Sequence, residues 1–204
     1  MRIILVRHGE TLENKEGIMQ GQLPGTLSDL GKEQARLVAE RLKDEKIDVI
    51  ITSDLQRAVD TAEAIAEHHP HLTIELAPGL REWSRGEYEG KKPHELPKHL
   101  TGVDLNKNPD FSFPGGESIR DVYNRVKETY NKILERHIDQ NVLVVGHGVS
   151  IRALMRVVKG ISVEGEFDMP SMQNTSVTIF EIGKDGSHEV VCLNCDKHLN
   201  QSGL

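Results

Sequence analysis

Two histidines stand just after short apolar runs of the sequence. His8 follows Ile3–Val6 and Arg7, and His147 follows Val142–Val145 and Gly146. A neutral imidazole can act as a nucleophile through one ring nitrogen when a hydrogen bond holds the other nitrogen. Taken alone, each histidine is more simply a surface residue or a hydrogen-bonded core residue. Their meaning therefore depends on whether the fold brings them together.

A second arginine stands at a comparable position. Arg57 lies in the first turn of a predicted helix, which follows the apolar run Val49–Thr52. Guanidinium groups bind phosphate oxygens through paired hydrogen bonds, and helix N-termini add backbone N–H donors. Such groups would stabilise the oxygens of a phosphoryl group during its transfer. We therefore predict that His8 becomes a phosphohistidine, which water later splits.

The leaving alkoxide needs a proton, and segment 80–90, L-R-E-W-S-R-G-E-Y-E-G, offers three carboxylic acids. Glu82 lies early in this segment, beside Trp83. An apolar ring and the charge of a bound phosphate would both favour the protonated carboxyl, so Glu82 could act as general acid. It would then serve as base for water in the second step. Glu87 and Glu89 are the alternatives, and residue chemistry alone does not separate the three.

These side chains need a scaffold that joins distant segments. Apolar runs predict strands at Ile3–Val6, Val49–Thr52, Leu72–Leu76, Val142–Val145, Ser176–Ile182 and His188–Leu193. Helical periodicity predicts helices from Asp29 to about Asp44, after a capping box of Ser53 and Gln56, after Gly116 and Ser118, and over Val149–Val158. The polar segment Gly9 to Thr26 is predicted to be a long functional loop.

The order of these elements predicts an α/β fold with a mostly parallel sheet, covered by helices on both faces. The last two strands flank a Gly-Lys-Asp-Gly turn at 183–186, which predicts an antiparallel hairpin at the edge of the sheet. In such sheets ligands bind beyond the carboxyl ends of the strands. Arg7, His8, Arg57 and His147 all stand at such ends, so we expect them to share one cleft.

Composition sets the class of protein. The 204 residues, 28% charged and 37% hydrophobic, fit one globular domain over 1–204. A formal net charge of −7 disfavours binding to nucleic acid or to an anionic membrane. The apolar run after Met1 is short for a signal peptide, and no later stretch approaches twenty apolar residues. We therefore expect a cytoplasmic location and no membrane partner.

Two further groups of residues could bind a metal ion. Cys192, Cys195 and His198 could supply three zinc ligands, but no fourth ligand has finger-like spacing. We favour a structural interpretation, with Cys192 in a strand and Cys195 in a mobile tail. His68, His69 and His71 are expected to lie at a solvated helix end.

Several sequence blocks occur in a recognisable order. They are R-H-G-E-T at 7–11 with Asn14, M-Q-G at 19–21, L-S-x-x-G-x-x-Q-A at 27–35, S-D-L-Q-R-A-V-D-T-A at 53–62, L-R-E-x-x-x-G-x-x-E-G at 80–90, P-G-G-E-S at 114–118 and V-V-G-H-G at 144–148. Together they resemble the histidine phosphatase superfamily, the phosphoglycerate mutase-like proteins, over nearly the whole chain.

This resemblance implies a three-layer α/β/α sandwich that needs neither a metal nor another cofactor. It implies His8 as the phosphorylated nucleophile, and it selects Glu82 as the proton donor over its two rivals. It implies Arg7, Arg57 and His147 as catalytic phosphate ligands. The substrate-binding set that it implies is Arg7, Asn14, Gln20, Gly21, Arg57, His147 and Gly148.

Departures from the family pattern bear on the reaction. The run 22–26 lacks an acidic residue that the family often has. Cofactor-dependent mutases carry longer insertions and a tryptophan where this chain has Gln22. We therefore predict a metal-independent phosphomonoesterase that acts on a small phosphorylated metabolite. A phosphoglycerate mutase is one alternative. A non-catalytic phosphate-sensing protein is another, but it would be expected to lose His8 or Glu82.

Two features concern specificity and assembly. Segment Lys91–Phe113 is predicted to be a lid-like insertion, solvated and mobile, which sets specificity. Its four lysines against three carboxylates are too little to argue for a polyanionic substrate. The predicted hairpin can pair with a second copy to give a homodimer, or it can equally be solvated.

Overall fold

The structure is a computed structural model that describes residues 1–165, 171–183 and 185–200. Its sheet contains β1 (Arg2–Arg7), β2 (Val49–Thr52), β3 (Ile74–Leu76), β4 (Asn141–Gly146), β5 (Val177–Ile182) and β6 (His188–Cys195). The order across the sheet is β3-β2-β4-β1-β5-β6. Strands β3, β2, β4 and β1 are parallel to one another, whereas β5 pairs antiparallel with both β1 and β6. The predicted parallel sheet with an antiparallel edge hairpin is confirmed, although Lys184 of the turn lies outside the described residues.

The described helices are α1 (Leu12–Glu16), α2 (Asp29–Leu42), α3 (Gln56–Ala66), α4 (Ile119–His137), α5 (Gly148–Val158) and α6 (Lys197–Asn200). Single 3₁₀ turns occur at Pro78–Leu80, Gly86–Tyr88, Pro93–Glu95 and Lys98–Leu100. Helix α1 corrects the prediction of an uninterrupted loop from Gly9 to Thr26. Thr11 and Asn14 form a capping box there, which stabilises one short helix without any apolar period.

The central strands are buried on both faces. Ile3 and Leu5 of β1 pack in one apolar cluster with α4 and α5, whereas Ile4 and Val6 pack in another with α2 and α3. Successive side chains of a strand point to opposite faces, so one continuous apolar run feeds both clusters. The predicted three-layer α/β/α sandwich is confirmed.

Side-chain caps begin the long helices α2 and α4 but not α3. The hydroxyl groups of Ser28 and Ser118 accept from the N–H groups of Gly31 and Asp121 and so cap α2 and α4. The predicted cap of α3 is wrong, because its N-cap is Leu55 and makes no side-chain hydrogen bond. The Ser53 hydroxyl instead accepts a hydrogen bond from the N–H of Leu55 at 3.3 Å. A short turn therefore separates β2 from α3, and the helix begins at Gln56.

One of the three histidines after α3 is not solvated. Helix α3 ends at Ala66. His69 is buried, and its Nε2 lies 3.1 Å from the carbonyl oxygen of Leu42. The expectation of a solvated helix end is therefore wrong for His69, which ties α2 to the chain after α3.

The two cysteines lie in β6, so the expected mobile tail at Cys195 is wrong. Arg41 Nη1 lies 3.4 Å from Cys195 Sγ and 3.2 Å from His198 Nδ1, and Arg41 Nη2 lies 3.6 Å from Cys192 Sγ. A guanidinium thus occupies the centre of this cluster. In the described ranges, no group of three or more His, Cys, Asp or Glu residues is arranged to hold a metal ion. The zinc alternative therefore has no support.

Within the same ranges, none of the helices combines the length and the apolar character needed to cross a membrane.

Candidate active site

The crevice lies where the chain leaves the two central strands. Helix α2, after β1, packs on one face of the sheet, and α5, after β4, packs on the other. Such a switch point leaves room beyond the carboxyl ends of the strands. The register pairs Arg7 with Gly146, so His8 and His147 are the next residues of adjacent strands. Their ring centroids lie 5.1 Å apart, as the prediction of a shared cleft requires.

His8 is held in a single neutral tautomer. Its ring is buried, and Nδ1 lies 2.7 Å from the carbonyl oxygen of Gly9. Because a carbonyl oxygen only accepts, Nδ1 carries the proton and Nε2 keeps its lone pair. Burial, followed by the charges of Arg7 and Arg57, lowers the pKa of His8 well below its usual value, although the Gly9 carbonyl opposes this. The ring therefore has the form that a nucleophile requires.

His147 has the opposite tautomer. Arg57 Nε donates to His147 Nδ1 at 3.2 Å, so the proton of His147 lies on Nε2. Nε2 is buried, and it has no hydrogen-bond partner in the part of the chain that the structure describes. Burial, and next the charge of Arg57, lowers the pKa of His147 well below its usual value. A neutral ring with an uncommitted N–H can donate to an oxyanion.

Arg57 is almost completely buried and serves several acceptors. Besides His147, its guanidinium donates to the carbonyl oxygens of Gly21 at 2.8 Å, Leu23 at 2.5 Å and Pro24 at 3.1 Å. Burial lowers the pKa of Arg57 to about 10, against the opposing charge of Glu82. The group is therefore still a cation at neutral pH. It connects the turn at 21–24 to His147, a role that helix position alone did not predict.

Arg7 is the second cation at this place. Its Nη1 donates to the carbonyl oxygen of Met172. Its Nε is buried and finds no partner among the described side chains and backbone groups. Burial lowers the pKa of Arg7, and the charge of Glu82 acts in the opposite direction. Arg7 thus retains a donor that an anion could use.

Most of the predicted site residues line a cavity of about 300 Å³. Its lining consists of Arg7, His8, Asn14, Gly17, Ile18, Met19, Gln20, Gly21, Arg57, Glu82, Trp83, Arg85 and Val149. Two predicted residues, His147 and Gly148, are not part of the lining but lie next to residues that are. His147 contacts Arg57, and a Cβ at Gly148 would lie 3.6 Å from Glu82 Oε2. The fold therefore brings together every residue that the sequence selected.

Three further positions of the lining, two of them polar, have defined constraints. Asn14 Oδ1 accepts from the N–H of Thr11, which leaves the amide nitrogen of Asn14 for other contacts. Gln20 Oε1 is buried without a hydrogen-bond partner in the described ranges. Gly21 has φ +51°, and a Cβ there would lie 2.2 Å from Glu89 Oε1. Only glycine fits this turn without strain.

Glu82 is bound by backbone donors. The N–H of Val149 lies 3.1 and 3.2 Å from its two oxygens, and the N–H of Trp83 lies 2.8 Å from Oε1. These contacts place Glu82 at the N-terminus of α5. The ring of Trp83 instead packs on Phe113, at 5.4 Å between centroids. The groups that bind the carboxyl of Glu82 are therefore polar backbone donors, whereas the sequence predicted an apolar wall.

The two rival acids have other positions. Glu89 Oε1 accepts from the N–H groups of Gln22 and Arg85 and from the hydroxyl of Ser84, each at 3.0 Å. It therefore acts as a clamp for the loop. Neither Glu87 nor Glu89 belongs to the lining of the cavity, whereas Glu82 does.

Two arginines at the site were missed by sequence reasoning. Arg125 of α4 donates to the carbonyl oxygens of Gly79 at 2.9 Å, Arg81 at 2.7 Å and Glu82 at 3.0 Å. Arg85 lines the cavity, with its guanidinium carbon 4.5 Å from the centroid of Trp83. Arg125 has the pattern of an ordinary helix-surface residue, so only the tertiary contacts reveal it.

A cationic crevice at the switch point of a parallel sheet is typical of α/β enzymes that bind phosphate esters. Residues 3–196 match the family model of the histidine phosphatase superfamily (branch 1), and the chain belongs to that superfamily. The predictions of this family, and of an enzyme of the phosphatase class, are thereby confirmed.

Similar proteins carry several names. "Phosphoglycerate mutase-like protein 4" of Arabidopsis thaliana is 33% identical, over 99% of this chain and 88% of that protein. "Phosphoserine phosphatase 1" of Hydrogenobacter thermophilus is 33% identical, over 98% of this chain and 95% of that protein. A structure of mycobacterial glucosyl-3-phosphoglycerate phosphatase has a TM-score of 0.86 at 28% identity, over 96% of this chain and 99% of the other.

Proposed function

We propose that the chain is a metal-independent phosphomonoesterase that hydrolyses small phosphorylated metabolites through a phosphohistidine on His8. The observation that carries this proposal is the tautomer of His8. Its Nδ1–H is held by the carbonyl of Gly9, so Nε2 is the free nucleophile in a cavity shared with Arg7 and Arg57. Relatives and structural neighbours that are named phosphatases support hydrolysis as the reaction.

In the first step, Nε2 of His8 forms a bond to phosphorus while the bond from phosphorus to the ester oxygen breaks. Glu82 transfers its proton to the departing alkoxide. A bound phosphate dianion favours that proton on a neighbouring carboxyl, because like charges repel. In the second step Glu82 takes a proton from water, the oxygen bonds to phosphorus, and the N–P bond breaks. Phosphate leaves, and both side chains return to their initial forms.

Positive and neutral donors would stabilise the negative charge on the phosphoryl oxygens in both steps. Arg7 has an uncommitted Nε, and His147 has an uncommitted Nε2–H. Arg57 fixes the tautomer of His147 through their 3.2 Å contact and contributes its charge. Fixed donors of this kind favour the transition state because they need no reorganisation when charge develops.

The proposal is tested by trapping the covalent intermediate. Enzyme that turns over a ³²P-labelled phosphomonoester is quenched in acid and in alkali, and its label is counted. We expect a phosphoenzyme that survives alkali, is lost in acid and is absent from His8→Ala. Activity of His8→Ala should fall by about a thousandfold or more. His71→Ala, which alters an exposed histidine, is the matched control. Wild-type turnover in His8→Ala would refute the mechanism.

A phosphoglycerate mutase is the second candidate, favoured by the name of the relative from Arabidopsis thaliana. The same phosphohistidine would then pass its phosphoryl group to an alcohol. Gln22 argues against this alternative, because it stands where such mutases carry tryptophan and donates to the carbonyl of Glu82 at 3.2 Å. Incubation with 3-phosphoglycerate decides between them: isomerisation faster than phosphate release would favour the mutase.

The lid also belongs to this proposal. The carbonyl of Lys91 accepts from the N–H of Met19 at 2.9 Å, and Phe113 packs on Trp83. Both ends of Lys91–Phe113 are therefore attached to residues of the cavity lining, as a segment that covers substrate would require. The retained pair of His8 and Glu82 in one cavity argues against a non-catalytic phosphate sensor.

A further inference from the structure

We infer that Arg85 is a specificity-determining residue that binds a carboxylate of the substrate. The inference rests on the proposed function and narrows its substrates to small phosphoesters that also carry a carboxylate. Its basis is a cation in the cavity without an anionic partner. In the described ranges the Arg85 guanidinium lines the cavity, yet no carboxylate lies within ion-pair distance of it and its side chain donates no hydrogen bond.

Aromatic rings hold this guanidinium in place. Its central carbon lies 4.5 Å from the centroid of Trp83 and 5.6 Å from that of Phe113. The indole is itself fixed, because Nε1 donates to the carbonyl of Glu117 at 2.5 Å. Stacking on aromatic faces supports the cation and leaves the edge of the fork, with its N–H donors, free for another group.

The backbone of this loop is fixed as well. The N–H of Arg85 donates to Glu89 Oε1 at 3.0 Å. Gly86 has φ +54°, and a Cβ there would lie 2.1 Å from the carbonyl oxygen of Pro114, so the loop packs closely on that segment. Arg85 is therefore carried by a constrained turn, as a residue that selects substrates needs to be.

Charge balance indicates what Arg85 binds. A phosphomonoester dianion compensates Arg7 and Arg57, and Glu82 is neutral when it holds the proton for the leaving group. Arg85 then keeps a half-buried positive charge. Glu89 attracts this charge through space, but its Oε1 is already bound by three other donors and makes no contact with the guanidinium, so the compensation of Arg85 is incomplete. One carboxylate on the alcohol part of the substrate supplies the missing unit of charge, and its two oxygens match the guanidinium fork. A second phosphate would exceed the available charge.

The test compares two substrates that differ in the carboxylate. Phosphoserine and phosphoethanolamine share the aminoethyl ester, and only phosphoserine has the carboxylate. We expect the wild type to prefer phosphoserine in kcat/KM. Arg85→Met, which keeps an apolar stem over the rings, should lower kcat/KM for phosphoserine by about 10- to 100-fold, chiefly through KM. For phosphoethanolamine the change should stay within about threefold.

Arg85→Lys should recover part of the loss, because it restores the charge without the fork. Arg36→Met, which alters an arginine outside the cavity lining, is the control and should behave as wild type for both substrates. Equal losses for the two substrates in Arg85→Met would overturn the inference. So would a wild-type enzyme that does not prefer phosphoserine, a result that needs no variant to fold.

The same assays separate this inference from the proposed function. A His8 phosphoenzyme that forms from para-nitrophenyl phosphate, together with equal use of both substrates, would remove the role of Arg85 and leave the mechanism standing. No phosphoenzyme from any of the three esters would overturn both.

Discussion

At the scale of single residues, two hydrogen bonds of opposite direction give the two imidazoles different roles. Nδ1 of His8 donates to a carbonyl, and Nδ1 of His147 accepts from Arg57. Nε2 therefore carries a lone pair in His8 and a proton in His147. One ring can attack phosphorus while the other donates to its oxygens, although both are the same residue type.

The proposed role of Glu82 as general acid predicts a dependence on the leaving group. Glu82→Gln should slow hydrolysis of an alkyl phosphoester by about 10²- to 10⁴-fold, because its alkoxide then leaves without a proton. Hydrolysis of para-nitrophenyl phosphate should suffer much less, since its phenolate is a good leaving group. Rates of both esters check this, with Glu87→Gln as the matched control. Equal losses for both esters would show that Glu82 is not the acid.

The buried histidines predict that stability falls in mild acid. Burial, and then the charge of Arg41, lowers the pKa of His198 to about 4. Between this value and about 6.5 the unfolded chain binds a proton that the folded chain does not, so the stability present above pH 6.5 is lost as pH falls towards 4. His8 and His147 act in the same direction.

The measurement is urea unfolding at several pH values between 7 and 4.5. His198→Asn should reduce the slope of unfolding free energy against pH by about 1.4 kcal/mol per pH unit within this window. The exposed-site variant His71→Asn should keep the wild-type slope. An unchanged slope in His198→Asn would show that His198 is protonated in the folded protein.

At the scale of elements, α4 positions the segment that carries Glu82. Arg125 donates to the carbonyl groups of Gly79, Arg81 and Glu82 and pairs with Glu117, whose Oε2 accepts from the N–H of Ser84 at 3.0 Å. The acid is thus held from two sides, by α4 through its own backbone and by α5 through the N–H of Val149.

Removal of the Arg125 side chain should have the same kind of effect as Glu82→Gln, but a smaller one. Arg125→Met is expected to lower kcat for an alkyl phosphoester by about tenfold, and kcat for para-nitrophenyl phosphate by less. The ratio of the two rates is the informative quantity, because general loss of folded enzyme would lower both equally. Arg136→Met, at an exposed position of α4, should leave the ratio unchanged.

The elements also show what sequence can predict. The carboxyl ends of parallel strands lie at one edge of a sheet, so the residues after β1, β2 and β4 are expected to lie close together. This rule was enough to predict a shared cleft for His8, Arg57 and His147. Capping was less predictable, since Ser53 and Ser118 have similar sequence contexts and only Ser118 caps a helix. Contacts such as those of Arg125 depend on how helices pack against loops, and no local pattern records that.

At the scale of the whole molecule, an acidic chain presents a cationic crevice. The net charge is −7, yet three arginines line one cavity of about 300 Å³. Binding of an anion must therefore depend on local donors rather than on long-range attraction. Hydrogen bonds from fixed groups should confer selectivity for tetrahedral anions over chloride.

Inorganic phosphate should therefore stabilise the folded protein specifically. A ligand at about 100 times its dissociation constant adds about 2.7 kcal/mol, which corresponds to a rise of roughly 5–10 °C in melting temperature for a chain of this size. Millimolar phosphate should produce such a rise, and potassium chloride of equal ionic strength should not. Arg7→Met should lose the effect. An equal rise in that variant would place the anion elsewhere.

The homodimer through the edge hairpin stays a prediction. Val191 and Leu193 of β6 are exposed large apolar side chains on this edge. Sedimentation of wild type and Val191→Lys would test it, because a lysine at a paired edge should separate the copies.

The pairing of Arg7 with Gly146 bears on how such an enzyme can evolve. Neighbouring strands of any sheet lie about 4.8 Å apart, and the two imidazole centroids are separated by 5.1 Å. Their spacing is thus inherited from the amide ladder common to all sheets and owes little to side-chain identity. Mutations can rebuild the surrounding segments, including the one that bears Arg85, without disturbing this pair. New substrates can accordingly be acquired while the reaction at phosphorus is preserved.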